Sequence, residues 1–350
     1  MILVVGATGQ LGTAVVRKLV ASGQPVRAFV RRTGQYQHLQ VPGVELAFGD
    51  LRHPATLDAA CRGAEVVIAT ANAIVPQGPS SFEAVEGKGY QDLIAACQRH
   101  GVKQFIFISA PVTPHDNAVP SFRYKRLNEE RLQASGLNYT ILRASLFMDC
   151  WFAFIGSTIP ACGTDTATIK RQYWFLKLFM KGVGNLIPGL GIALIPGNAQ
   201  VRHAFIATED VASAMVNAIG HPAAERAILE IGGPEILSWQ QVANIYAEAL
   251  GRKVRPVYAP GGVFRVMRAL VSPFSEAASD ILGLNWLVSY STPYEGQKAA
   301  STLGVELTRA EDFVRGKAEM AGCLSPQGNR GYSTDSAGDL KRRNHGFPLP

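Results

Sequence analysis

Three glycines at fixed spacing near the start of the chain mark the segment best suited to ligand chemistry. They occur in the stretch GATGQLG, which directly follows the apolar run of residues 1–5. In a strand, loop and helix unit, the first glycine permits a tight turn, the second lets the backbone approach a pyrophosphate, and the third allows close packing. The phosphates then lie at the positive end of the helix. The residues of this dinucleotide-binding loop that we predict to bind are Gly6, Thr8, Gly9, Gln10, Leu11 and Gly12.

Two arginines follow the predicted second strand, residues 26–30, at the position that distinguishes the two nicotinamide dinucleotides. An acidic side chain there would accept hydrogen bonds from the adenosine ribose and favour NAD, whereas this chain has Arg31 and Arg32. Guanidinium groups can bind a 2′-phosphate through paired hydrogen bonds. The sequence therefore predicts NADP. NAD remains an alternative cofactor, and two merely solvated arginines are the alternative structural interpretation.

Further ligand contacts are predicted where other strands end. Asp50 and Leu51 follow the third predicted strand, where a carboxylate can accept a hydrogen bond from the adenine amino group; capping of the next helix is the alternative interpretation. In an open parallel sheet, ligands lie beyond the carboxyl ends of the strands. Small and polar residues after the fourth and fifth strands are therefore predicted to leave room for ribose and nicotinamide. These residues are Thr70, Ala71, Asn72 and Ser109.

Short apolar runs that alternate with helical patterns must position these residues. The sequence predicts six strands and four helices before residue 145. The strands are 1–5, 26–30, 44–48, 65–70, 104–108 and 138–142, and the helices are 10–22, 57–61, 82–100 and 125–134. This alternation is typical of an α/β protein with a doubly wound parallel sheet. We therefore predict a Rossmann domain over residues 1–145.

The character of the chain changes after Arg143. Residues 147–157 and 174–196 are rich in aromatic and aliphatic side chains, interrupted by glycine and proline. This pattern disfavours a membrane-spanning helix and favours an irregular lobe over a pocket, with peripheral membrane contact as the alternative. Residues 146–322 are expected to form a smaller C-terminal substrate lobe, interleaved with the end of the Rossmann domain. The polar stretch 323–350 is expected to be a disordered tail.

Regular structure is predicted again within this C-terminal part. Thr208 has a residue type that can cap the helix that follows it. The predicted elements are a strand at 204–206, helices at 208–219 and 238–250, strands at 227–231 and 254–258, and one apolar helix at 264–284.

Composition and charge narrow the functional class. With 350 residues, 47% hydrophobic and 17% charged, the chain has the composition of a globular protein. Its net charge of +7 favours anionic ligands or headgroups, but no basic helix or aromatic-interleaved basic stripe accompanies it, which argues against a nucleic-acid partner. The five cysteines include no CxxC pair, so we expect no metal site and reduced thiols in a cytoplasmic setting. No signal peptide is expected, because the first strand begins at residue 1.

Seven stretches form a combined pattern. They are 6–12, 30–32, 49–51, 107–109, 125–143, 209–212 and 231–234. Together they resemble the atypical short-chain dehydrogenases/reductases of the NmrA-like group, which includes quinone and isoflavone-type reductases. The resemblance covers about residues 1–320 and implies a Rossmann fold and reduction chemistry with NADP(H).

The resemblance also singles out one residue for catalysis. In the wider superfamily a tyrosine four residues before a lysine donates a proton, and the lysine assists it and holds the nicotinamide ribose. Lys125 occupies the lysine's position, but Ser121 stands where the tyrosine would be, and the adjacent Tyr124 points about 100° away on a helix. Lys125 is therefore predicted to contact the ribose or to donate the proton itself. A solvated lysine paired with Glu129 is the structural alternative.

Three other side chains could transfer protons. His115 and Asp116 lie in the proline-flanked loop after the fifth strand, and His203 precedes a strand that enters the lobe. A lone loop histidine is more often a surface residue, so Lys125 remains the primary candidate.

Three functions remain open at this point. The first, which the sequence favours, is an NADPH-dependent reductase of a small apolar molecule, quinone-like, enone or carbonyl, held by the lobe. The second is a regulator that senses NADP(H) without turnover, which the resemblance allows and Ser121 favours. The third is an accessory or assembly subunit that docks on a membrane complex, as some relatives do. The oligomeric state is left open.

Overall fold

Eleven strands lie in the part of the chain that the computed structural model describes, which comprises residues 1–73, 80–171, 173–291 and 296–324. They are β1 Ile2–Val5, β2 Val26–Val30, β3 Val44–Phe48, β4 Val66–Ala69, β5 Gln104–Ser109, β6 Tyr139–Ala144, β7 Ile192–Pro196, β8 Arg202–His203, β9 Ala227–Ile231, β10 Leu237–Ser238 and β11 Arg255–Ala259. Seven of them form one sheet in the order β3-β2-β1-β4-β5-β6-β9, in which every neighbouring pair is parallel. The predicted α/β class with a doubly wound parallel sheet is confirmed.

Twelve α-helices connect and cover these strands within the same described ranges. They are α1 Gln10–Ala21, α2 Pro54–Cys61, α3 Tyr90–Arg99, α4 Pro120–Ala134, α5 Met148–Phe154, α6 Trp174–Val183, α7 Thr208–Asn217, α8 Trp239–Leu250, α9 Gly261–Val271, α10 Glu276–Val288, α11 Gln297–Thr302 and α12 Ala310–Met320. None of the helices in those ranges combines the length and the apolar composition needed to cross a bilayer.

The sheet is buried on both faces, which explains its continuous apolar strands. Alternate side chains of β1 enter opposite cores: Val4 packs with α1 and α7 on one face, and Leu3 packs with α2, α3 and α4 on the other. Strand order reverses between β1 and β4, so the crevice beyond their carboxyl ends is where ligands bind in such sheets. Cys61 and Cys97 meet in the second core with their sulfurs 3.9 Å apart, as buried free thiols.

A separate core holds the C-terminal part together. It is built around α5, β7, α8 and α12, and its largest fully buried side chains are Phe152, Phe205, Trp239 and Tyr246. Two small sheets complete it, an antiparallel β8-β10 pair and a parallel β7-β11 pair. The domain boundaries at residues 145 and 322 stay predictions, and most of the expected tail, residues 325–350, lies outside the described residues.

The structure corrects several elements of the prediction. The sheet has seven strands rather than six, because β9 returns from the C-terminal part to pair with β6. The predicted apolar helix 264–284 is two helices, α9 and α10, since Pro273 cannot continue a helix and Ser275 caps the second one. The predicted helix 82–100 begins as a π-helical stretch, Glu83–Gly89. The predicted strand 204–206 is displaced to β8, and Ile206 makes a single bridge to Phe147.

Thr208 does not cap α7, contrary to the sequence prediction. It is the first residue of that helix, and both its N–H and its hydroxyl donate to one carboxylate oxygen of Asp149, at 2.9 and 2.8 Å. Asp149 belongs to α5, so the cap is supplied by another element of the chain.

Candidate functional site

The glycine loop has the geometry that its spacing predicts. Gly6 adopts a φ of +89°, and a Cβ there would lie 2.5 Å from the backbone nitrogen of Ala71. A Cβ on Gly12 would lie 2.2 Å from the carbonyl oxygen of Gly6, so this position admits only glycine at the observed backbone separation. A Cβ on Gly9 would meet less, with Gly6 O at 3.1 Å and the Arg171 guanidinium at 3.9 Å. The loop is therefore tight on its inner side and comparatively open at Gly9.

The end of α1 that points at this opening carries a partial positive charge. The helix begins at Gln10, its N-cap is Gly9, and no side chain of the described residues caps it. The first N–H groups of a helix lack partners within the helix, and together with the helix dipole they favour an anion. The arrangement can bind phosphate oxygens through the backbone.

Two guanidinium groups add to this positive potential. Arg31 is exposed just after β2. Burial lowers the pKa of Arg171, and the nearby charge of Arg31 lowers it further. The Arg171 guanidinium donates a hydrogen bond to the carbonyl oxygen of Thr8 at 2.5 Å. Within the described residues, neither arginine forms an ion pair with a carboxylate. Two neighbouring guanidinium groups that form no ion pair with any described residue, with Asp50 within electrostatic range of Arg31, are suited to binding an anion.

Arg32 and His38 complete the basic rim. The Arg32 guanidinium lies 4.5 Å from the centre of the Phe48 ring, beside β3. The His38 ring nitrogen Nε2 lies 3.1 Å from the hydroxyl of Thr13, and burial together with the charge of Arg171 lowers the pKa of His38. Sequence reasoning missed both His38 and Arg171, because they reach the loop from segments that carry no recognisable motif.

The side chains of the predicted adenine-site residues are already engaged. Asp50 accepts hydrogen bonds from the Arg52 guanidinium at 2.9 and 2.7 Å and from its backbone N–H at 2.9 Å. Partial burial acts to raise the pKa of Asp50, but the hydrogen bonds from Arg52 outweigh it and lower the pKa. Asp50 does not cap α2, whose N-cap is His53. Leu51 is buried in the core of the sheet, so only its backbone can face a ligand.

Gln10 joins the glycine loop to the C-terminal part. Its side-chain amide donates to Asp149 at 2.9 Å and accepts from the N–H of Thr168 at 3.0 Å. Leu11 packs against the core of the first sheet face. Any contribution of Gln10 and Leu11 to a bound phosphate therefore comes through their backbone N–H groups.

The ends of β4 and β5 supply the other predicted positions. The Thr70 hydroxyl donates to the carbonyl oxygen of Val5 at 3.1 Å, the Ala71 carbonyl accepts from the Tyr90 phenol at 2.5 Å, and Asn72 is exposed. The Ser109 hydroxyl donates to Glu129 at 2.5 Å. These residues border the crevice beyond the strands, but only Asn72 has an exposed side chain.

Glu129 is the centre of a buried ionic network. It accepts from Arg143 at 2.6 Å and from Ser109, and it forms an ion pair with Arg126 at 2.8 Å. The network fixes α4 against the ends of β5 and β6. The predicted alternative in which Glu129 pairs with a solvated Lys125 is wrong.

Lys125 lies instead with its ammonium buried beneath the end of β5. Nζ donates to the carbonyl oxygen of Ile108 at 3.0 Å and lies 4.7 Å from the centre of the Phe107 ring. Burial lowers the pKa of Lys125, and the nearby carboxylate of Glu86 partly offsets this effect. An ammonium of lowered pKa can hold a hydroxyl oxygen or donate a proton.

Glu86 is the carboxylate with the largest electrostatic effect on Lys125, and sequence reasoning missed it. One of its oxygens accepts from the N–H of Ala73, just beyond β4, at 2.9 Å. The other is buried without a hydrogen-bond partner among the described residues, and burial raises the pKa of Glu86. The pair of Glu86 and Lys125 can share or move a proton at the carboxyl ends of the central strands.

Ser121 stands at the position of the missing tyrosine, in the first turn of α4. Its N–H donates to a carboxylate oxygen of Asp280 on α10 at 2.9 Å. Burial raises the pKa of Asp280 to about 7. Asp280 therefore caps the helix that carries Lys125, and nothing in the local sequence of either helix indicates this contact.

The other proposed proton-transfer residues make contacts of their own, none of them with Lys125. His203 is buried in the C-terminal core, where its Nε2 lies 3.0 Å from the carbonyl oxygen of Val288, and burial lowers its pKa to about 4. His115 stacks on Trp286, with ring centres 4.5 Å apart. Asp116 forms an ion pair with Arg126 at 3.3 Å. These contacts explain all three residues as structural.

A cavity of about 450 Å³ opens beside α4, but it differs from the apolar pocket that the sequence predicts. Its lining is mostly polar and comprises Glu83, Asn117, Arg123, Tyr124, Arg126, Leu127 and Glu130. Many apolar side chains of the two aromatic-rich stretches pack into the C-terminal core, as Phe152, Ile187 and Ile195 do, whereas Leu178, Phe179 and Leu190 are exposed. Much of this apolar content therefore builds the lobe rather than a binding surface.

Comparison with known proteins places the chain in context. Residues 1–281 match a family model described as the NmrA-like family. The NAD(P)H azoreductase of Xenophilus azovorans is 29% identical over 73% of this chain and 76% of its own length. Photosystem II assembly factor Ycf39 of Cyanophora paradoxa is 39% identical over 49% of this chain, which spans only 52% of that relative.

Solved structures with the same fold include two reductases. The NADPH-dependent quinone oxidoreductase QOR2 of Escherichia coli, complexed with NADPH, has 21% identity and a TM-score of 0.67 over 90% of this chain and 98% of its own. The triphenylmethane reductase of Citrobacter sp., complexed with NADP(H), has 18% identity and a TM-score of 0.68 over 91% of this chain and 100% of its own. At these identities the similarity establishes the fold alone.

Proposed function

The chain belongs to the NmrA-like family, and we propose that it binds NADP(H) at the glycine loop and reduces a small apolar molecule, of the quinone, azo, enone or carbonyl type. The observation that carries the cofactor proposal is the pair of guanidinium groups, Arg31 and Arg171, held without a carboxylate partner among the described residues beside the uncapped start of α1. The named NADP(H) complexes of the two solved reductases and the named activity of the azoreductase support it.

The residues present fit this group. The backbone at Gly9 and the first N–H groups of α1 would hold the pyrophosphate. Arg31, with Arg32 or Arg171, would hold the 2′-phosphate that distinguishes NADP from NAD. The ribose and nicotinamide end would be lined by Asn72 and by the backbone around Thr70, Ala71 and Ser109. The adenine end would be lined by the backbone of Asp50 and Leu51.

Lys125 is the residue we propose to act on the reacting atoms. When bound, NADPH supplies a hydride, and a reduced carbonyl or azo group then needs a proton. The buried ammonium of Lys125 can donate it, or can hold a ribose hydroxyl, and the carboxyl of Glu86 can return a proton to the amine. Asp280 and Glu129 act indirectly, since each fixes the helix that carries Lys125.

Cofactor choice is tested by binding measurements with NADPH and NADH. We expect wild-type protein to prefer NADPH, and Arg31→Ala and Arg171→Ala to weaken NADPH binding by at least about tenfold, because hydrogen bonds to charged groups contribute on the order of 1.5–3 kcal/mol. Arg62→Ala is the matched control, since Arg62 is an exposed arginine at the amino-terminal ends of the strands, away from the glycine loop, where its carbonyl accepts from Arg27 of β2. Equal affinity for NADH and NADPH, unchanged by Arg31→Ala, would exclude the 2′-phosphate assignment.

Turnover is tested by following NADPH absorbance with a panel of quinones, azo dyes and enones. We expect oxidation of NADPH with at least one class, and a fall in kcat for Lys125→Met, which keeps the length of the side chain but removes its charge. Lys103→Met, at an exposed position just before β5 and so at the opposite end of that strand, is the control. If Lys125→Met changes neither cofactor affinity nor kcat, the role of Lys125 is wrong.

Binding without turnover is the second candidate function, and two observations favour it. Ser121 replaces the tyrosine of the superfamily's dyad, and the relative with 39% identity is named as an assembly factor rather than a reductase. A regulator or assembly factor would bind NADPH tightly and leave it unoxidised across the whole panel, so the same assay separates the two functions.

A further inference from the structure

Helix α9 exposes an apolar stripe that the rest of the described protein does not cover. The helix has no buried residue, although its polar and apolar positions are segregated. Leu270 is 69% exposed, and Phe274, just beyond the helix, is 87% exposed. With Val263, Val266 and Met267 they recur at the spacing of one helical face. Exposed apolar patches of this kind mark interaction surfaces.

The orientation of α9 is fixed from its other side. Phe264 packs against the cluster of Val119, Trp286 and Leu287, and the Arg268 guanidinium donates to the carbonyl oxygen of Ala118. The helix is therefore anchored by its inner face, and the stripe points outward because of the fold.

The charge of the segment that carries this stripe is positive, and the nearest acid in the sequence, Glu276, begins the next helix. No acidic residue occurs between Glu248 and Glu276 in the sequence, whereas the same stretch contains five cations, Arg252, Lys253, Arg255, Arg265 and Arg268. Arg265 is exposed on α9 itself, and Arg255 and the half-exposed Val257 share the outer face of β11, the strand that leads into the helix. The surface is thus apolar and basic at once.

We propose that α9 docks this protein on an anionic lipid bilayer, lying in the plane of the interface with its apolar stripe inserted and the exposed Arg255 and Arg265 among the headgroups. An 11-residue helix is too short to span a bilayer, but a basic amphipathic helix of this length can lie on one. An aromatic side chain such as Phe274 at its end is suited to the interface. This surface is distinct from the aromatic-rich stretches 147–157 and 174–196, for which the sequence left membrane contact open.

A bilayer fits this surface better than a second copy of the chain does. In a symmetric dimer the same patch meets itself, so the cations of one copy would face those of the other without an acidic residue from this stretch to pair with. Anionic headgroups neutralise them, while the acyl chains receive Val266, Leu270 and Phe274. The proposal does not depend on the proposed reductase activity.

The test is co-sedimentation of the full chain with vesicles of phosphatidylcholine alone or mixed with phosphatidylglycerol. We expect binding to the mixed vesicles only, weakened by high salt. The double variant Leu270→Glu, Phe274→Glu should lower the partition coefficient by at least about tenfold, and Arg265→Glu should lower it less. Val41→Glu, at an exposed valine before β3, is the matched control and should bind like the wild type.

A second readout guards against an effect on folding. Phe274→Trp adds a fifth tryptophan at the most exposed position of the stripe, and the difference spectrum against the wild type should shift to the blue when mixed vesicles are added. Equal sedimentation of the double variant and the control, or absence of the shift, would overturn the proposal. So would light scattering that shows a wild-type dimer which the double variant loses, because the face would then join two copies.

Discussion

The cap that Asp280 provides to α4 makes a quantitative prediction about stability and pH. Burial raises the pKa of Asp280 from 3.8 to about 7, with the neighbouring Glu86 and Glu276 adding to the rise and the hydrogen bonds from Ser121 opposing it. The folded state therefore binds this proton more tightly than the unfolded state does. Its contribution to stability is complete below about pH 4 and is lost as the pH rises through about 7.

The size of the effect follows from the shift. One pKa unit corresponds to about 1.36 kcal/mol, so a difference of about three units gives at most about 4 kcal/mol between the two ends of this window. Asp280→Asn keeps an oxygen that can accept from the N–H of Ser121 but removes the ionisation. We therefore expect the variant to gain about 2–4 kcal/mol relative to the wild type between about pH 4 and about pH 8.

Urea denaturation of both proteins at the two pH values measures this difference. Asp149 and Asp210 also have a raised pKa, but they are present in both proteins and cancel in the comparison. Glu86 interacts with Asp280, so the measured difference belongs to the coupled pair. Asp312→Asn, at an exposed aspartate of α12, is the control and should not change its offset from the wild type with pH. If the offset of Asp280→Asn is the same at both ends of the window, Asp280 is not protonated in the folded protein and the reasoning fails.

Three further predictions concern the glycine loop and its surroundings. Gly12→Ala should lower the free energy of unfolding by about 2 kcal/mol or more, since its Cβ would lie 2.2 Å from Gly6 O. Gly316→Ala, in open space on α12, is the control and should not destabilise the protein. Thermal unfolding of both variants measures this difference. Glu129→Gln should cost on the order of 1.5–3 kcal/mol in urea denaturation, because it removes the buried carboxylate that pairs with Arg126 and Arg143; a loss below about 0.5 kcal/mol would contradict the network. Binding of 2′,5′-ADP should raise the pKa of His38, measured by NMR titration, since a phosphate offsets the charge of Arg171; an unchanged pKa would place the anion elsewhere.

Local spacing made the fold and the phosphate end of the candidate site predictable. The glycine loop and the two arginines after β2 each lie within a short stretch whose geometry is dictated by the strand, loop and helix unit around it. The roles of Gly6 and Gly12 could be read from the sequence because the need for a positive φ and for close packing excludes side chains at those positions. Lys125 was found through the resemblance.

Contacts between distant segments could not be predicted in the same way. Asp280 caps α4 from 159 positions away, and the carboxylate of Asp149 takes over the cap that Thr208 was expected to supply. Arg171 reaches Thr8 from a segment without a motif. In each case the sequence shows a polar residue of ordinary type, and only the packing of the chain decides which helix end or loop it meets. The sequence also left open whether Lys125 is solvated. Its burial follows from the same packing of distant segments.

The seventh strand has a consequence for how the protein must be made. β6 pairs with β9, with Thr140 opposite Ala227, so roughly 90 residues have to emerge from the ribosome before the partner strand is available. At typical elongation rates this takes on the order of 5–20 seconds. During that time the nascent chain has an open edge at β6, whose Ile141 and Leu142 are fully buried in the finished protein. Synthesis of this protein therefore includes an interval in which an apolar strand edge is exposed to chaperones, or to the same edge of another nascent chain.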